Sequence, residues 1–166
     1  MNITKTQKIS VVGIGGGAGN VISHIATKEF NEVDLIAINT DITSLNKVLK
    51  AKKVQIGQNL TKGLGAGMNP QIGKDSAIEN YEDIKESLKD SNIVFIVSTL
   101  GGGNGTFGSS IVAKACKEVG SIVISIVTVP FDWEGKKRVE FGKLGIEELK
   151  NISDNLIVIS NEESLK

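Results

Sequence analysis

The segment that decides the fold is residues 93–118, IVFIVSTLGGGNGTFGSSIVAKACKE. It begins with a nearly continuous apolar run, Ile93–Ser98, which is typical of a strand buried on both faces of a parallel sheet. A glycine triplet follows, and after it Gly108–Glu118 has the spacing of a helix. A buried strand, a glycine-rich loop and a helix in this order predict part of a βαβ unit.

The same alternation extends along the rest of the chain. Further predicted strands are Ile9–Ile14, Val33–Asn39, Ile122–Val127 and Leu156–Ser160, with Val54–Ile56 as an edge strand. Predicted helices are Ala18–Phe30, Thr43–Ala51, Lys74–Leu88 and Gly142–Lys150. We therefore expect an α/β fold, a three-layer sandwich on a mostly parallel, Rossmann-like sheet, with residues 1–166 forming one domain.

The composition excludes several classes of function. The 166 residues carry 19 basic and 19 acidic side chains, and this neutrality argues against nucleic-acid binding through a basic surface. No apolar run approaches the ~20 residues of a membrane span, and the amino terminus has no apolar signal region. Cys116 is the only cysteine, so an internal disulfide is excluded. We expect a cytoplasmic protein that does not insert into a membrane.

Glycine is concentrated in three loops, at 13–20, 63–70 and 101–106. The first and third follow predicted buried strands and precede predicted helices. Glycine-rich backbone at a helix N-terminus offers free N–H groups to an anion, most often phosphate. There is no GxxxxGK[ST] motif, and no loop contains Lys or Arg. Backbone N–H groups, helix dipoles and Mg²⁺ are therefore expected to balance the charge of a long polyphosphate.

The first loop, taken alone, is also compatible with a different ligand, a dinucleotide. Residues 13–18, GIGGGA, match the dinucleotide-binding pattern GxGxxA, which favours a domain of an oxidoreductase. That pattern requires an acidic residue ~20 positions further on, for the ribose hydroxyls. Asp34 and Asp41 are both poorly placed for this role. The second glycine triplet would also have no function in a dinucleotide-binding enzyme. Dinucleotide binding remains the alternative at this point.

Six segments together resemble a known family. The segment GGGNGT, between a predicted strand and a predicted helix, resembles the tubulin signature GGGTG[ST]G. The remaining segments resemble, in the same order, those of the FtsZ family, the bacterial homologues of tubulin. These segments are GIGGGAGN at Gly13–Asn20, NTD at Asn39–Asp41, GLGAGMNP at Gly63–Pro70, PFDWEGKKR at Pro130–Arg138 and LIVISN at Leu156–Asn161. The resemblance covers nearly the whole chain, from about Ile9 onward.

The resemblance implies a domain that binds GTP or GDP, with Mg²⁺, in a cell-division protein. Such proteins polymerise head to tail into cytoplasmic filaments that form the division ring. The implied partners are further copies of the chain or full-length FtsZ, together with other division proteins.

The resemblance also implies a role for each matching residue. Gly15, Gly16, Gly17 and Asn20 would approach the phosphates, Asn39 and Asp41 would lie near the phosphates and magnesium, and Ala66 and Gly67 would reach the γ-phosphate. Gly102, Gly103, Asn104, Gly105 and Thr106 would wrap the α- and β-phosphates, Glu134 and Arg138 would hold the ribose, and Asn161 would touch the guanine edge. The chemistry agrees for Arg138, the only arginine of the chain, whose planar fork lysine does not reproduce.

Two departures from the family bear on activity. Asn104 stands where the signature has Thr, and Phe107 where it has Gly. The Phe107 ring either turns into the core or crowds the nucleotide, and crowding predicts weaker GTP binding. A degenerate homologue that acts as a non-hydrolysing interaction module is therefore a further alternative.

The length bears on hydrolysis. In the family a central helix, an acidic loop that activates water and a second domain follow the position of Asn161, whereas this sequence ends at Lys166. The acidic loop of one subunit completes the site of the next. We therefore assign no catalytic residue, expect no GTP hydrolysis by the chain alone, and expect the last sheet face to be exposed.

Overall fold

The computed structural model describes residues 6–160, and its centre is a six-stranded sheet. The strands are β1 (Ile9–Ile14), β2 (Val33–Asn39), β3 (Lys52–Gln55), β4 (Ile93–Thr99), β5 (Ile122–Val129) and β6 (Asn155–Ser160). Their order across the sheet is β3-β2-β1-β4-β5-β6, and every neighbouring pair is parallel. The predicted α/β fold on a parallel sheet, with the weakest apolar run at its edge, is confirmed.

Seven helices and one 3₁₀ turn lie within residues 6–160. The helices are α1 (Gly16–Ala26), α2 (Ile42–Asn46), α3 (Gln58–Thr61), α4 (Pro70–Glu79), α5 (Tyr81–Leu88), α6 (Asn104–Glu118) and α7 (Lys136–Ile152), and the 3₁₀ turn is Asp132–Glu134. No helix of this part of the chain is both long and apolar enough to cross a membrane.

The prediction of one helix over Lys74–Leu88 was wrong, because α4 and α5 are separate helices. The Asn69 side chain caps α4 by accepting the N–H groups of Gln71 and Ile72, with Pro70 in the first turn. Asn80 divides the two helices at φ −109° and ψ 30°. Its Oδ1 accepts the N–H of Gly57 at 2.8 Å, a distant contact that the local sequence does not indicate.

Two other helices end earlier than predicted, α1 at Ala26 rather than Phe30 and α2 at Asn46 rather than Ala51. Glu29 and Lys50 adopt positive φ angles of 54° and 52° soon after these ends. A left-handed residue directs the chain away from the helix axis, so the helical spacing of the sequence overestimates both lengths.

The sheet buries its two faces unequally. One face carries the larger core, in which Val12, Ile96 and Val127 pack against the layer formed by α4, α5, α6 and α7. The other face packs against α1 and α2 through a smaller core around Ile22 and Leu45. This second layer covers β1 and β2. The same face of β6 carries Ile157 and Ile159, which are 45% and 41% exposed.

Candidate functional site

The three glycine loops meet at the carboxyl edge of the sheet. Loop 15–17 follows β1 and loop 100–103 follows β4, and these strands are neighbours, with Ile14 paired to Ser98. Loop 62–69 joins α3 to α4 and reaches the same edge, where Leu64 forms a bridge with Asp41. Together they line a cleft of about 390 Å³.

Twelve of the sixteen predicted residues line this cleft. They are Gly15, Gly16, Gly17, Asn39, Asp41, Ala66, Gly67, Gly102, Gly103, Asn104, Gly105 and Arg138. Residues from five separate parts of the sequence are thus brought together as a single wall. Leu64 and Thr99 also line the cleft, although sequence reasoning gave them no role.

The other four predicted residues lie elsewhere. Asn20 is exposed and lines an adjoining cleft with Gly16 and Asn39. Thr106 is fully buried, and its Oγ1 accepts the N–H of Gly101 at 2.9 Å, so it closes the loop from behind. Glu134 does not line the cleft, but its Oε2 pairs with Nη1 of Arg138, which does. Asn161 lies outside the described residues.

The loop glycines divide into two groups. A Cβ added to Gly16, Gly67 or Gly102 would meet no atom within 4 Å. A Cβ added to Gly17 or Gly103 would instead approach Thr99 Oγ1 at 2.7 Å or Ala66 Cβ at 2.8 Å. The second group is required by close packing within the protein. At Gly16 and Gly102 neither a positive φ nor a neighbouring atom requires glycine.

The N-termini of α1 and α6 both open onto the cleft. Their N-cap residues are Gly15 and Gly103, so neither helix has a side-chain cap, and neither has an acidic residue in its first turn. The first N–H groups of a helix have no partner within the helix, and the helix dipole places partial positive charge there. The cleft therefore offers two sets of donors suited to an anion.

Asn104 connects two sides of the cleft wall. Its Nδ2 donates to Asn39 Oδ1 at 2.8 Å and to Thr40 Oγ1 at 2.9 Å. Asn39 Oδ1 also accepts the N–H of Asp41 at 3.0 Å. The residue that replaces the family threonine thus fixes the start of α6 to the end of β2.

The cleft has one carboxylate and one cation among its lining residues, Asp41 and Arg138. Asp41 caps α2 by accepting the backbone N–H of Ser44 at 3.1 Å. This hydrogen bond is the main cause that lowers the pKa of Asp41. Arg138 Nη1 pairs with Glu134 Oε2 at 3.0 Å, whereas its buried Nε has no hydrogen-bond partner within residues 6–160. This N–H is thus a buried hydrogen-bond donor without a partner in the described part of the chain.

The aromatic residues near the cleft do not enter it. Phe107 is half-buried, and Lys74 Nζ lies 5.9 Å from its ring centroid, so the ring turns toward α4. Of the two predicted orientations of the Phe107 ring, the structure has the one directed away from the cleft. Trp133 is 77% exposed and stacks on Phe131 at 4.9 Å between ring centroids.

A larger cavity of about 730 Å³ lies at the opposite, amino-terminal edge of the strands. It is lined by Phe30 and by Lys8 and Asp34, which pair with each other at 3.0 Å. None of the glycine loops reaches it. Ligands of parallel α/β sheets bind beyond the carboxyl ends of the strands, so the smaller cleft is the better candidate.

Comparison with known proteins agrees with this geometry. Residues 8–166 match the model of the Tubulin/FtsZ family, GTPase domain. The cell division protein FtsZ of Wigglesworthia glossinidia brevipalpis is 43% identical over 166 residues, which are 100% of this chain and 43% of that protein. The FtsZ of Buchnera aphidicola subsp. Schizaphis graminum is 44% identical over 166 residues, again 100% and 43% of the two chains.

A solved structure shows the same arrangement in three dimensions. An empty FtsZ dimer from M. jannaschii superposes with a TM-score of 0.93 at 41% identity, covering 98% of this chain and 48% of that one. The chain thus spans less than half the length of these relatives. Because the family match extends over almost all of the sequence and the cleft has the expected loops, the chain belongs to the Tubulin/FtsZ family and contains its GTPase domain.

Proposed function

We propose that the cleft binds GTP or GDP and that the chain is the GTP-binding domain of an FtsZ-like cell-division protein. The observation that carries this proposal is the pair of uncapped helix N-termini, α1 and α6, that face one cleft beside the open backbone of Gly16 and Gly102. Phosphate is the anion that such an arrangement usually binds. The family membership favours a guanosine nucleotide over the dinucleotide of the oxidoreductase alternative.

We assign the phosphates to the three loops. Residues 15–17, at the N-terminus of α1, would donate backbone N–H groups from one side, with Asn20 beside them, and residues 102–106, at the N-terminus of α6, would donate from the other side. Ala66 and Gly67, in loop 62–69, would reach the terminal phosphate. The open space at Gly16, Gly67 and Gly102 supports this assignment, because a ligand can approach the backbone there without a side chain between them.

The donor set of the cleft also fits a magnesium ion. Mg²⁺ is usually held by one or two carboxylates together with phosphate oxygens and waters. Asp41 supplies one ionised carboxylate at the cleft wall, and within the described chain no group of three His, Cys, Asp or Glu side chains forms a metal cage. Asp41 and the phosphates would hold the ion, with Asn39 nearby, and the ion would neutralise phosphate charge.

Glu134 and Arg138 would bind the ribose, and Asn161 the guanine edge. The Arg138–Glu134 pair orients both side chains, and the Nε of Arg138, which has no partner within the described residues, would be a further donor for the nucleotide. A carboxylate accepts hydrogen bonds from two ribose hydroxyls. Glu134 would therefore exchange part of its contact with Arg138 for contacts with the sugar.

We further propose that hydrolysis requires an acidic loop of a neighbouring subunit in a head-to-tail cytoplasmic filament. Asp41 is the only carboxylate that lines the described cleft, and it is engaged as the cap of α2 with a lowered pKa, which makes it a poor general base. Leu64 and Met68, on the rim, are 86% and 55% exposed and are suited to contact a second copy or full-length FtsZ. Other division proteins would act on that filament.

The proposed nucleotide is tested by titrating the purified chain with GTP, GDP, ATP and NAD in the presence of Mg²⁺, and by identifying any nucleotide that co-purifies. We expect saturable binding of GTP and GDP, and Arg138→Lys should weaken both because lysine lacks the planar fork. Preferential binding of NAD would favour the oxidoreductase alternative. Absence of binding to every nucleotide would favour the non-binding interaction module and overturn the proposal.

A further inference from the structure

Behind the cleft, three helices meet at a cluster of four side chains, which we call the Lys74 cluster. Lys74 on α4 pairs with Glu148 Oε1 on α7 at 3.3 Å and lies over the ring of Phe107 on α6. Ser110, one turn after Phe107, has its hydroxyl 2.6 Å from Glu148 Oε2 and 2.7 Å from the carbonyl oxygen of Phe107, and the charged carboxylate is the stronger acceptor of its single proton. Both carboxylate oxygens of Glu148 are thus used to join α7 to the other two helices.

Each of these helices continues a segment that forms the cleft. α4 begins at Pro70, directly after the loop that contains Ala66 and Gly67, and α6 begins at Asn104, directly after the loop that contains Gly103. α7 carries Arg138 in its first turn. A contact that fixes the relative positions of the three helices therefore also fixes the three segments that would surround the nucleotide.

Close packing transmits that position to the loops. A Cβ added to Gly73, next to Lys74, would lie 2.2 Å from the carbonyl oxygen of Gly103. A Cβ added to Gly103 would in turn lie 2.8 Å from Ala66 Cβ. α4, loop 101–103 and loop 62–69 therefore contact one another closely at Gly73, Gly103 and Ala66, and closely packed contacts transmit small displacements.

The contacts of the Lys74 cluster exceed those of an isolated surface pair. The side chains of Lys74 and Glu148 are 32% and 34% exposed, so the pair is partly shielded from water. The Ser110 hydroxyl adds a charge-assisted hydrogen bond, and the aromatic ring attracts the ammonium. Phe107, which departs from the family signature, thus supplies one wall of this cluster.

We propose that Lys74 and Glu148 are positioning residues that hold loop 62–69 in place for the terminal phosphate, and so favour GTP over GDP. The inference rests on the proposed binding of guanosine nucleotides and assigns no contact between these two side chains and the nucleotide. GDP lacks the terminal phosphate that we assign to Ala66 and Gly67, so it would make fewer contacts with loop 62–69. Loss of the Lys74 ammonium therefore weakens GTP binding more than GDP binding.

The chain contains a closely matched control. Lys85 on α5 pairs with Glu118 Oε2 at 3.3 Å and lies 5.9 Å from the ring centroid of Tyr81, and Lys74 has the same two distances to Glu148 and Phe107. The exposed fractions of the two lysine side chains are 30% and 32%. Glu118, however, is the last residue of α6 and lies at the end distant from the cleft.

The test compares Lys74→Met with Lys85→Met in the 166-residue chain. Dissociation constants for GTP and GDP are measured by calorimetry with Mg²⁺, and folding is checked by circular dichroism and thermal unfolding. We expect Lys74→Met to lower the ratio of GTP to GDP affinity about threefold or more, Lys85→Met to leave it unchanged, and Lys74→Arg to restore it. Glu148→Gln, compared with Glu118→Gln, provides the same comparison if Lys74→Met does not fold.

The outcomes separate this inference from the proposed function. If the unchanged chain binds neither nucleotide, the proposed function fails and the inference with it. A different outcome overturns the inference alone: the unchanged chain binds GTP, and Lys74→Met loses stability as Lys85→Met does but keeps the ratio of GTP to GDP affinity of the unchanged chain. The Lys74 cluster would then be only structural.

Discussion

The side-chain amides of Asn39 and Asn104 meet at 2.8 Å across 65 positions of sequence. Asn39 ends β2 and Asn104 begins α6, so this hydrogen bond joins two loops that belong to different βαβ units. Asn39 is 5% exposed, which means that its oxygen has little access to water if the partner is lost. The substitution of asparagine for the family threonine at Asn104 is therefore part of the architecture of the cleft.

Replacing Asn104 by alanine is expected to lower the free energy of unfolding by about 1–2 kcal/mol, because a mostly buried acceptor loses its donor. Asn104→Thr keeps a hydroxyl and should lose less. Urea unfolding followed by circular dichroism measures both. An unchanged free energy of unfolding in Asn104→Ala would show that the hydrogen bonds of the amide contribute nothing.

A second prediction separates glycines required by the fold from glycines required by a ligand. Gly73→Ala should lower the free energy of unfolding by about 2 kcal/mol or more, since the new Cβ would lie 2.2 Å from the oxygen of Gly103. Gly102→Ala should change it by less than about 0.5 kcal/mol, because its Cβ would point into open space.

The same pair distinguishes the two roles in binding assays. Gly102→Ala should retain its fold and lose affinity for GTP, because the methyl group occupies the space in which we place the phosphates. Unchanged affinity in a folded Gly102→Ala variant would place the phosphates elsewhere.

The third prediction concerns Phe107. Because the ring faces Lys74 and does not line the cleft, Phe107→Ala should not tighten GTP binding. It should reduce stability by about 1–3 kcal/mol through the loss of a half-buried ring. Tighter binding by this variant, measured by calorimetry, would mean that the ring crowds the nucleotide after all.

A fourth prediction concerns pH. Lys117 donates to both carboxylate oxygens of Asp154, at 2.9 and 2.8 Å, and together with the N–H of Val123 lowers the pKa of Asp154 below its ordinary value of 3.8. The resulting stabilisation is complete above that value and is lost as the pH falls through the lower pKa of the folded state.

Thermal unfolding between pH 7 and pH 3 tests this dependence. Asp154→Asn should be less stable than the unchanged chain at neutral pH and should lose less stability below pH 4. The exposed residue Asp90, changed to asparagine, is the control. A parallel pH profile for Asp154→Asn and the unchanged chain would contradict the assignment.

The fifth prediction follows from the uncovered sheet face. Ile157 and Ile159 lie on one face of β6 at 45% and 41% exposure. Adjoining exposed apolar side chains favour association. Sedimentation velocity should show concentration-dependent self-association of the 166-residue chain, reduced by the double change Ile157→Thr and Ile159→Thr. Equal association in both proteins would exclude this face.

Local patterns located all six strands, although β3 lies at Lys52–Gln55 rather than at the predicted Val54–Ile56, and they were insufficient for the loops. β1 and β2 begin and end at the predicted residues because continuous β-branched runs identify buried parallel strands. α6 begins at Asn104 and α7 at Lys136, four and six residues before the predicted starts. The first turns of both helices consist largely of glycine, polar and charged residues, so the spacing of apolar residues does not indicate them.

The loops that form the candidate site were predictable from the sequence, but the structural role of each residue in them was not. Thr106 closes its own loop, and Gly17 and Gly103 are glycines because Thr99 and Ala66 lie against them. These neighbours are about 80 and 40 positions away in the sequence. Which glycine faces a ligand and which faces another strand depends on the tertiary packing, and spacing within a motif contains no information about it.

The stack of Phe131 and Trp133 gives the chain a built-in optical reporter. Trp133 is the only tryptophan of the sequence, and the backbone of its stacking partner Phe131 donates to Glu134 Oε1 at 3.0 Å. Glu134 is also the residue that pairs with Arg138. A sugar that draws Glu134 away from Arg138 would disturb this turn, and the fluorescence of one unlabelled side chain would then record the filling of the cleft in real time.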